Sequence, residues 1–169
     1  MKVVMSSDSR DDDLRRLVTQ YQQDILRMCC AILRDQALAE DATQETFIKA
    51  WRGMDQFRGE ALEKTWLMRI AINTCRDIQR TSWMRHAERR VPLDQAPDGY
   101  CDPEDILLSD AVLRLPRKLK EAVLLYYYQG MTLDDAAQAL HISKTSVFSR
   151  LKRARAKLHD MLEGEVPNA

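Results

Sequence analysis

Glycine and proline are scarce in this chain, five of each in 169 residues. A β-sandwich or barrel needs turn residues about every 8–12 positions, so that class is excluded, and abundant Leu, Arg, Asp and Ala favour helices. Long apolar runs are also missing: none approaches the roughly 18 residues of a membrane span. The start, MKVVMSSDSRDDD, has no apolar stretch of signal-peptide length, so a soluble, cytoplasmic chain without membrane insertion is expected. Cysteine and histidine are few. Cys29, Cys30, Cys75 and Cys101 form no CxxC pair, and His86, His141 and His159 lack metal-ligand spacing. Reduced, mostly buried thiols are expected instead. There is no Gly-rich phosphate loop and no nucleophile–base pair at motif spacing. The expectation is therefore no enzyme, no cofactor and no small-molecule substrate.

Net charge is absent too, with 26 basic and 26 acidic residues. The charges are nevertheless segregated. Residues 144–157 carry Lys144, Arg150, Lys152, Arg153, Arg155 and Lys157 without an acid, and residues 69–90 hold six arginines against Asp77 and Glu88. Between them, residues 91–113 carry six acids and no Lys or Arg. Two basic segments around an acidic one suggest two modules facing a polyanion.

Apolar periodicity predicts a first helix through Leu14, Leu17, Val18, Tyr21, Ile25, Met28 and Ile32. A second helix is predicted over about 36–51. A third is predicted from about Thr65, with a stripe of Trp66, Ile70, Ala71, Thr74 and Ile78. The stretch VPLDQAPDGYCDP, with three prolines and a glycine, reads as the linker. Beyond it Asp102 is a cap for a helix starting at Pro103. Pro116 takes the same first position in a helix over 117–128 that Gly130 ends. The expected fold is all-α: two small helical domains (1–90 and 105–169) joined by a flexible acidic linker (91–104).

The C-terminal domain holds a helix-turn-helix. Thr132 caps a helix with Asp135 three residues on. Ala136, Ala137 and Ala139 leave room for a crossing helix, and Leu133, Leu140 and Ile142 fill the corner. After a turn at His141-Ile142, Ser143 caps the last helix. Val147, Leu151, Ala154 and Leu158 form its buried stripe, leaving Thr145, Ser149, Lys152 and Arg153 outward. A solvated amphipathic helix would show the same stripe. The capped helix and tight turn before it, with six bases and no acid, point to a major groove instead.

Two blocks resemble the extracytoplasmic function sigma factors of bacterial RNA polymerase. The first is DATQETFIKAW (41–51), FRG (57–59) and TWLMRIAINTCRD (65–77). The second is LPRKLKEAVLLYYYQGMTLDDAAQAL followed by ISKTSVFSRLKRARAKL. In that family the blocks are sigma region 2 and sigma region 4, in this order. The resemblance implies that Asp41, Gln44, Glu45 and Phe47 dock the β′ clamp helices of core RNA polymerase, Phe47 being equally open to a core role. It places Arg58, Arg69, Asn73, Arg76 and Arg80 at the promoter's minus-ten element, where a base is extruded; Trp66 reads as core. Lys144, Thr145, Ser146, Ser149 and Arg150 fall at the minus-thirty-five bases, and Arg153, Arg155, Arg117 and Lys118 at phosphates.

The resemblance further implies contact with the β subunit, an RNA-mimicking role for the acidic linker, and an anti-sigma factor as inhibitor. Three departures stand out. Glu63 replaces a common aromatic or apolar residue, with Leu62 as a substitute; Asp135-Ala136-Ala137 replaces Glu-Ile-Ala; and Phe148 replaces a basic residue. Phe148 can touch a thymine methyl or pack on the preceding helix. The rival reading is a conventional helix-turn-helix regulator that works without polymerase.

Overall fold

The structure, a computed structural model, describes residues 7–57, 59, 61–89 and 110–164. The predicted linker, its cap at Asp102-Pro103, Cys101 and Arg58 lie outside the described residues. All regular structure among the described residues is helical.

Helix α1 (Ser7–Leu33) carries Asp8 in its first turn, where its charge suits the positive helix end. It stops where Arg34 turns left-handed (φ 53°) and its N–H closes on the Cys30 carbonyl at 2.8 Å. Asp35 follows as N-cap of α2 (Gln36–Gly53), its Oδ1 accepting from the Leu38 N–H at 2.9 Å. A 3₁₀ turn (Met54–Gln56) leads towards α3 (Glu63–Arg89). These helices close around Ile25, Met28 and Cys29 of α1, Ala39, Ala42 and Ala50 of α2, and Leu67, Met68 and Ile72 of α3, all buried. The alanines let α2 approach closely, and each fully buried Ile, Leu or Met contributes about 1.5–3 kcal/mol. Thr43, Thr46 and Thr74 also enter this core, each hydroxyl donating to the carbonyl four residues back.

The buried side of α3 differs from the predicted stripe. Leu67, Met68, Ala71, Ile72, Thr74 and Cys75 are buried, whereas Trp66, Ile70 and Ile78 lie at the flank, half-buried. The reason is that α3 is covered twice, by α1 and α2 on one side and by a helix of the C-terminal module on another. A helix gripped from two directions has no single stripe to read.

The C-terminal module comprises α4 (Asp110–Leu113), α5 (Arg117–Val123), α6 (Leu133–Leu140) and α7 (Lys144–Gly164). Pro116 is the N-cap of α5 rather than its first helical residue. Its extended backbone (ψ 141°) aims the carbonyl at the Leu119 and Lys120 N–H groups, both 2.9 Å away. Leu124–Tyr128 continues α5 as a π-helical turn, with the Gln129 N–H bonding the Leu124 carbonyl at 2.9 Å. Gly130, at φ 65°, then reverses the chain in a conformation that side-chain-bearing residues resist. Leu119, Leu125, Leu140, Val147 and Leu151 are buried within this module and continue the apolar core of the first three helices.

Candidate nucleic-acid interface

The corner between α6 and α7 is built by hydrogen bonds that the sequence announces. Thr132 Oγ1 accepts from the Asp135 N–H at 3.1 Å and donates to Asp135 Oδ2 at 2.8 Å, so both residues of the capping box are engaged. At the other end of α6, His141 is left-handed (φ 56°), and the Ile142 N–H closes on the Ala137 carbonyl at 3.0 Å. Ser143 Oγ then accepts from the Ser146 N–H at 3.1 Å and caps α7. Ala136, Ala137 and Ala139 are buried at the crossing, as are Val147, Leu151 and Ala154 opposite them.

That register leaves Lys144, Thr145, Ser149, Lys152, Arg153, Arg155 and Lys157 exposed. Lys144 is paired with Asp134 at 3.1 Å, and the Ser146 hydroxyl is shared with Ser143 at 2.8 Å. Arg150 is half-buried; burial lowers its pKa while the charge of Glu121 opposes the shift. Phe148 is 53% exposed. Arg117 and Lys118 stand exposed at the start of α5.

On the N-terminal module, Arg69, Asn73, Arg76 and Arg80 follow one another along α3. The Phe57 ring stacks on Trp66, with centroids 4.7 Å apart and planes at 28°. Together they wall a cavity of about 640 Å³ that Lys49, Arg69 and Asn73 also line. This stack was not read from the sequence, because it depends on the turn that carries Phe57 back onto α3. Lys49 was missed as well: it donates to Thr74 Oγ1 at 3.2 Å and faces Asp77 at 3.8 Å. Arg80 is exposed beside Asp77 at 3.0 Å. His141 and Gln138 of the C-terminal module complete the cavity wall.

On α2, Asp41 and Gln44 are exposed and Glu45 is half-buried. Phe47 is buried, 7% exposed, so it anchors α2 to the core. The exposed apolar residues there are Ile48 and Trp51, one turn apart. Trp51 is held in place: its Nε1 donates to Asp11 at 3.2 Å and Arg10 lies 4.9 Å above its ring.

Cys29, Cys30 and Cys75 are reduced thiols, fully buried. A hydrogen bond with Cys29, then burial, pushes the Cys75 thiol far above the ordinary range, so no reactive thiolate forms there. Among the described residues no group of His, Cys, Asp or Glu is placed to hold a metal, and no helix is long and apolar enough to cross a membrane.

Comparison with known proteins agrees with this two-part layout. The family described as Sigma-70 region 2 matches residues 17–86, and Sigma-70, region 4 matches residues 106–158. The RNA polymerase sigma-H factor of Pseudomonas aeruginosa is 32% identical over 176 residues, covering 95% of this chain and 90% of that one. The ECF RNA polymerase sigma factor SigM of Mycobacterium tuberculosis is 31% identical over 151 residues, covering 87% and 76%. Among solved structures, CnrH in complex with the cytosolic domain of CnrY aligns with a TM-score of 0.68 at 24% identity, over 92% of this chain and 90% of that one. The sigma factor RpoE in complex with the anti-sigma factor NepR from Bartonella quintana gives the same score and identity over 92% and 99%. Those two likenesses are of fold. The matches of sequence set aside a regulator that acts without polymerase: this chain belongs to the extracytoplasmic function sigma factors of bacterial RNA polymerase, and its activity is to direct promoter recognition, promoter melting and transcription initiation.

Proposed function

We propose a division of that activity among named residues. The exposed face of α7 reads the minus-thirty-five element. Thr145 and Ser149 lie at base edges with Lys144, Ser146 and Arg150 beside them, while Arg153, Arg155, Arg117 and Lys118 grip phosphates. The α3 face, with Arg69, Asn73, Arg76 and Arg80, together with Arg58 before it in sequence, engages the minus-ten element and the strand opened there. The Phe57–Trp66 wall and the cavity beside it have the aromatic surface and cations that an unstacked base requires. On α2, Asp41, Gln44 and Glu45 meet the β′ clamp helices of core polymerase, and the C-terminal module meets the β subunit. Ile48 and Trp51 add apolar area to the α2 surface, and Phe47 supports it from beneath.

The proposed boundaries are 1–90 for the N-terminal domain, 91–104 for the linker and 105–169 for the C-terminal domain, supported by the matches at 17–86 and 106–158. The chain itself makes and breaks no covalent bond, takes no cofactor, and works in the cytoplasm beside the polymerase. An anti-sigma factor is its inhibitor; of two structures of like fold, one is a complex with an anti-sigma factor and the other a complex with another protein's cytosolic domain.

The observation that carries this reading is the α7 register: Val147, Leu151 and Ala154 buried, with Thr145, Ser149 and Arg153 exposed together. Transcription from a library of genomic promoters with purified core enzyme tests it. Specific transcripts that vanish when Thr145, Ser149 and Arg153 are replaced together by Ala are expected; transcripts unchanged by that triple replacement sink the assignment.

A further inference from the structure

Arg76 and Glu121 lie 45 residues apart in sequence and belong to different modules. Arg76 Nε donates to Glu121 Oε1 at 3.1 Å and Nη2 to Oε2 at 2.6 Å, a fork closed on one carboxylate. The Glu121 side chain has no exposure, and that of Arg76 is 30% exposed. Two more bridges lie along the same helix. Lys64 Nζ donates to the Gln129 carbonyl at 3.1 Å and pairs with Asp24 at 3.5 Å, while Arg69 Nη2 sits 3.3 Å from His141 Nδ1. Gln129 Nε2 also reaches the Asp24 carbonyl, at 3.4 Å. Arg69 and Arg76, assigned above to the promoter strand, are thus both occupied by the chain's own C-terminal module. Thr145, Ser149 and Arg153 of α7 stay exposed in the same arrangement.

A buried carboxylate stripped of its cation is costly, so separating the modules requires a replacement within the C-terminal one. Two are at hand. Arg117 Nε lies 3.9 Å from Glu121 Oε1, and half-buried Arg150 feels the same charge. We infer that the C-terminal module is the occupant of the promoter-facing side of α3 in the free chain, clasped by Arg76–Glu121, and that opening passes Glu121 to Arg117 and Arg150 and frees Arg76 for a DNA phosphate. Glu121 thus keeps a cation beside it in either state, so opening strands no buried carboxylate and a partner that binds the open state can select it. The closed chain keeps its minus-thirty-five face available while its minus-ten face is covered. This inference rests on the reading of α3 as a strand-binding face.

Small-angle X-ray scattering on the full chain decides it, with Glu121→Gln and Lys64→Glu as variants. Lys64 is outside the proposed DNA and polymerase contacts, and a glutamate there faces Asp24 and the Gln129 carbonyl. The wild-type chain is expected near the compact value for this length, a radius of gyration of about 15 Å, and both variants are expected several ångström larger. An unchanged radius in Lys64→Glu, the variant that leaves the buried Glu121 intact, overturns the inference whatever Glu121→Gln does to folding. Affinity for a short mixed-sequence single-stranded DNA oligonucleotide is the second readout. If the open state is about a tenth of the wild-type population, opening raises apparent affinity about tenfold. Expansion without any gain in strand affinity supports the clasp and refutes the assignment of α3 to DNA, so the two ideas fail separately.

Discussion

Arg16 clasps Glu63 with two hydrogen bonds, Nη1 to Oε2 at 3.0 Å and Nη2 to Oε1 at 2.7 Å, and so ties the middle of α1 to the first residue of α3. The glutamate that departs from the family's usual aromatic thus has a use: it fixes the start of the helix that carries the proposed minus-ten face. Leu62, the suggested substitute, is instead 64% exposed.

The Arg16 hydrogen bond, working against partial burial, holds the Glu63 carboxyl below its ordinary value of 4.5. A lowered folded-state pKa means the contribution is complete above the unfolded value and disappears as pH falls through the folded one. Both side chains are partly exposed, so Glu63→Gln is expected to cost less than about 1 kcal/mol at pH 7. Urea denaturation of both forms should show the gap closing as the medium is acidified below about pH 4. A gap of the same size at every pH contradicts this origin.

How far the sequence exposed this structure depended on how local each determinant was. The caps at Asp35, Thr132 and Ser143 are decided within three or four residues and appear where, or of the kind, such patterns lead one to expect. The α7 register follows from one stripe against one neighbour. The buried side of α3 was legible only in part, since Met68 and Cys75 take their burial from a packing that no single period encodes. The Phe57–Trp66 stack and the Arg76–Glu121 pair were invisible for the same reason. Each joins residues whose proximity is set by the tertiary arrangement, and Arg76 read simply as one more basic residue for DNA.

Ala136 sits with no exposure at the crossing of α6 and α7. Ala136→Leu adds volume with nowhere to go, and overpacking of this kind costs about 1–3 kcal/mol. Thermal unfolding followed by circular dichroism is expected to show a lowered midpoint, with duplex binding lost in parallel. Ala156→Leu, on the exposed side of α7, serves as the control; equal effects of the two contradict the crossing as the cause.

Arg153 is exposed on α7 and contacts no acid in the free chain among the described residues. As a phosphate contact it contributes one released counterion. Arg153→Ala is therefore expected to lower the slope of log affinity against log salt by about 0.9 and to weaken all duplexes alike. Thr145→Ala should instead weaken binding at particular base pairs. Fluorescence anisotropy over a salt series separates them, and an unchanged slope removes Arg153 from the phosphate set.

Asp41 is exposed on α2. If α2 meets a basic coiled coil, Asp41→Lys replaces attraction by repulsion, and co-elution with core polymerase should weaken most at low salt. Duplex binding by the C-terminal module should be unaffected. Retained co-elution at low salt contradicts the α2 assignment.

Phe148 is the departure from the family's pattern on α7. Its ring is 53% exposed between Val147, which is buried, and Ser149, which is exposed. An aromatic ring left in water at the edge of a DNA-reading face gains from covering a thymine methyl and adds no attraction for phosphate. Phe148→Arg reverses both properties. The variant is expected to bind mixed-sequence duplex more tightly, with a salt slope steeper by about 0.9, while losing preference at one base pair by about 1–3 kcal/mol. Selection of bound sequences from a random duplex pool, run on both forms, reads both changes at once. If the ring only shields the face from water, the slope will steepen while the two selected sequences coincide, and Phe148 then has no part in choosing the promoter.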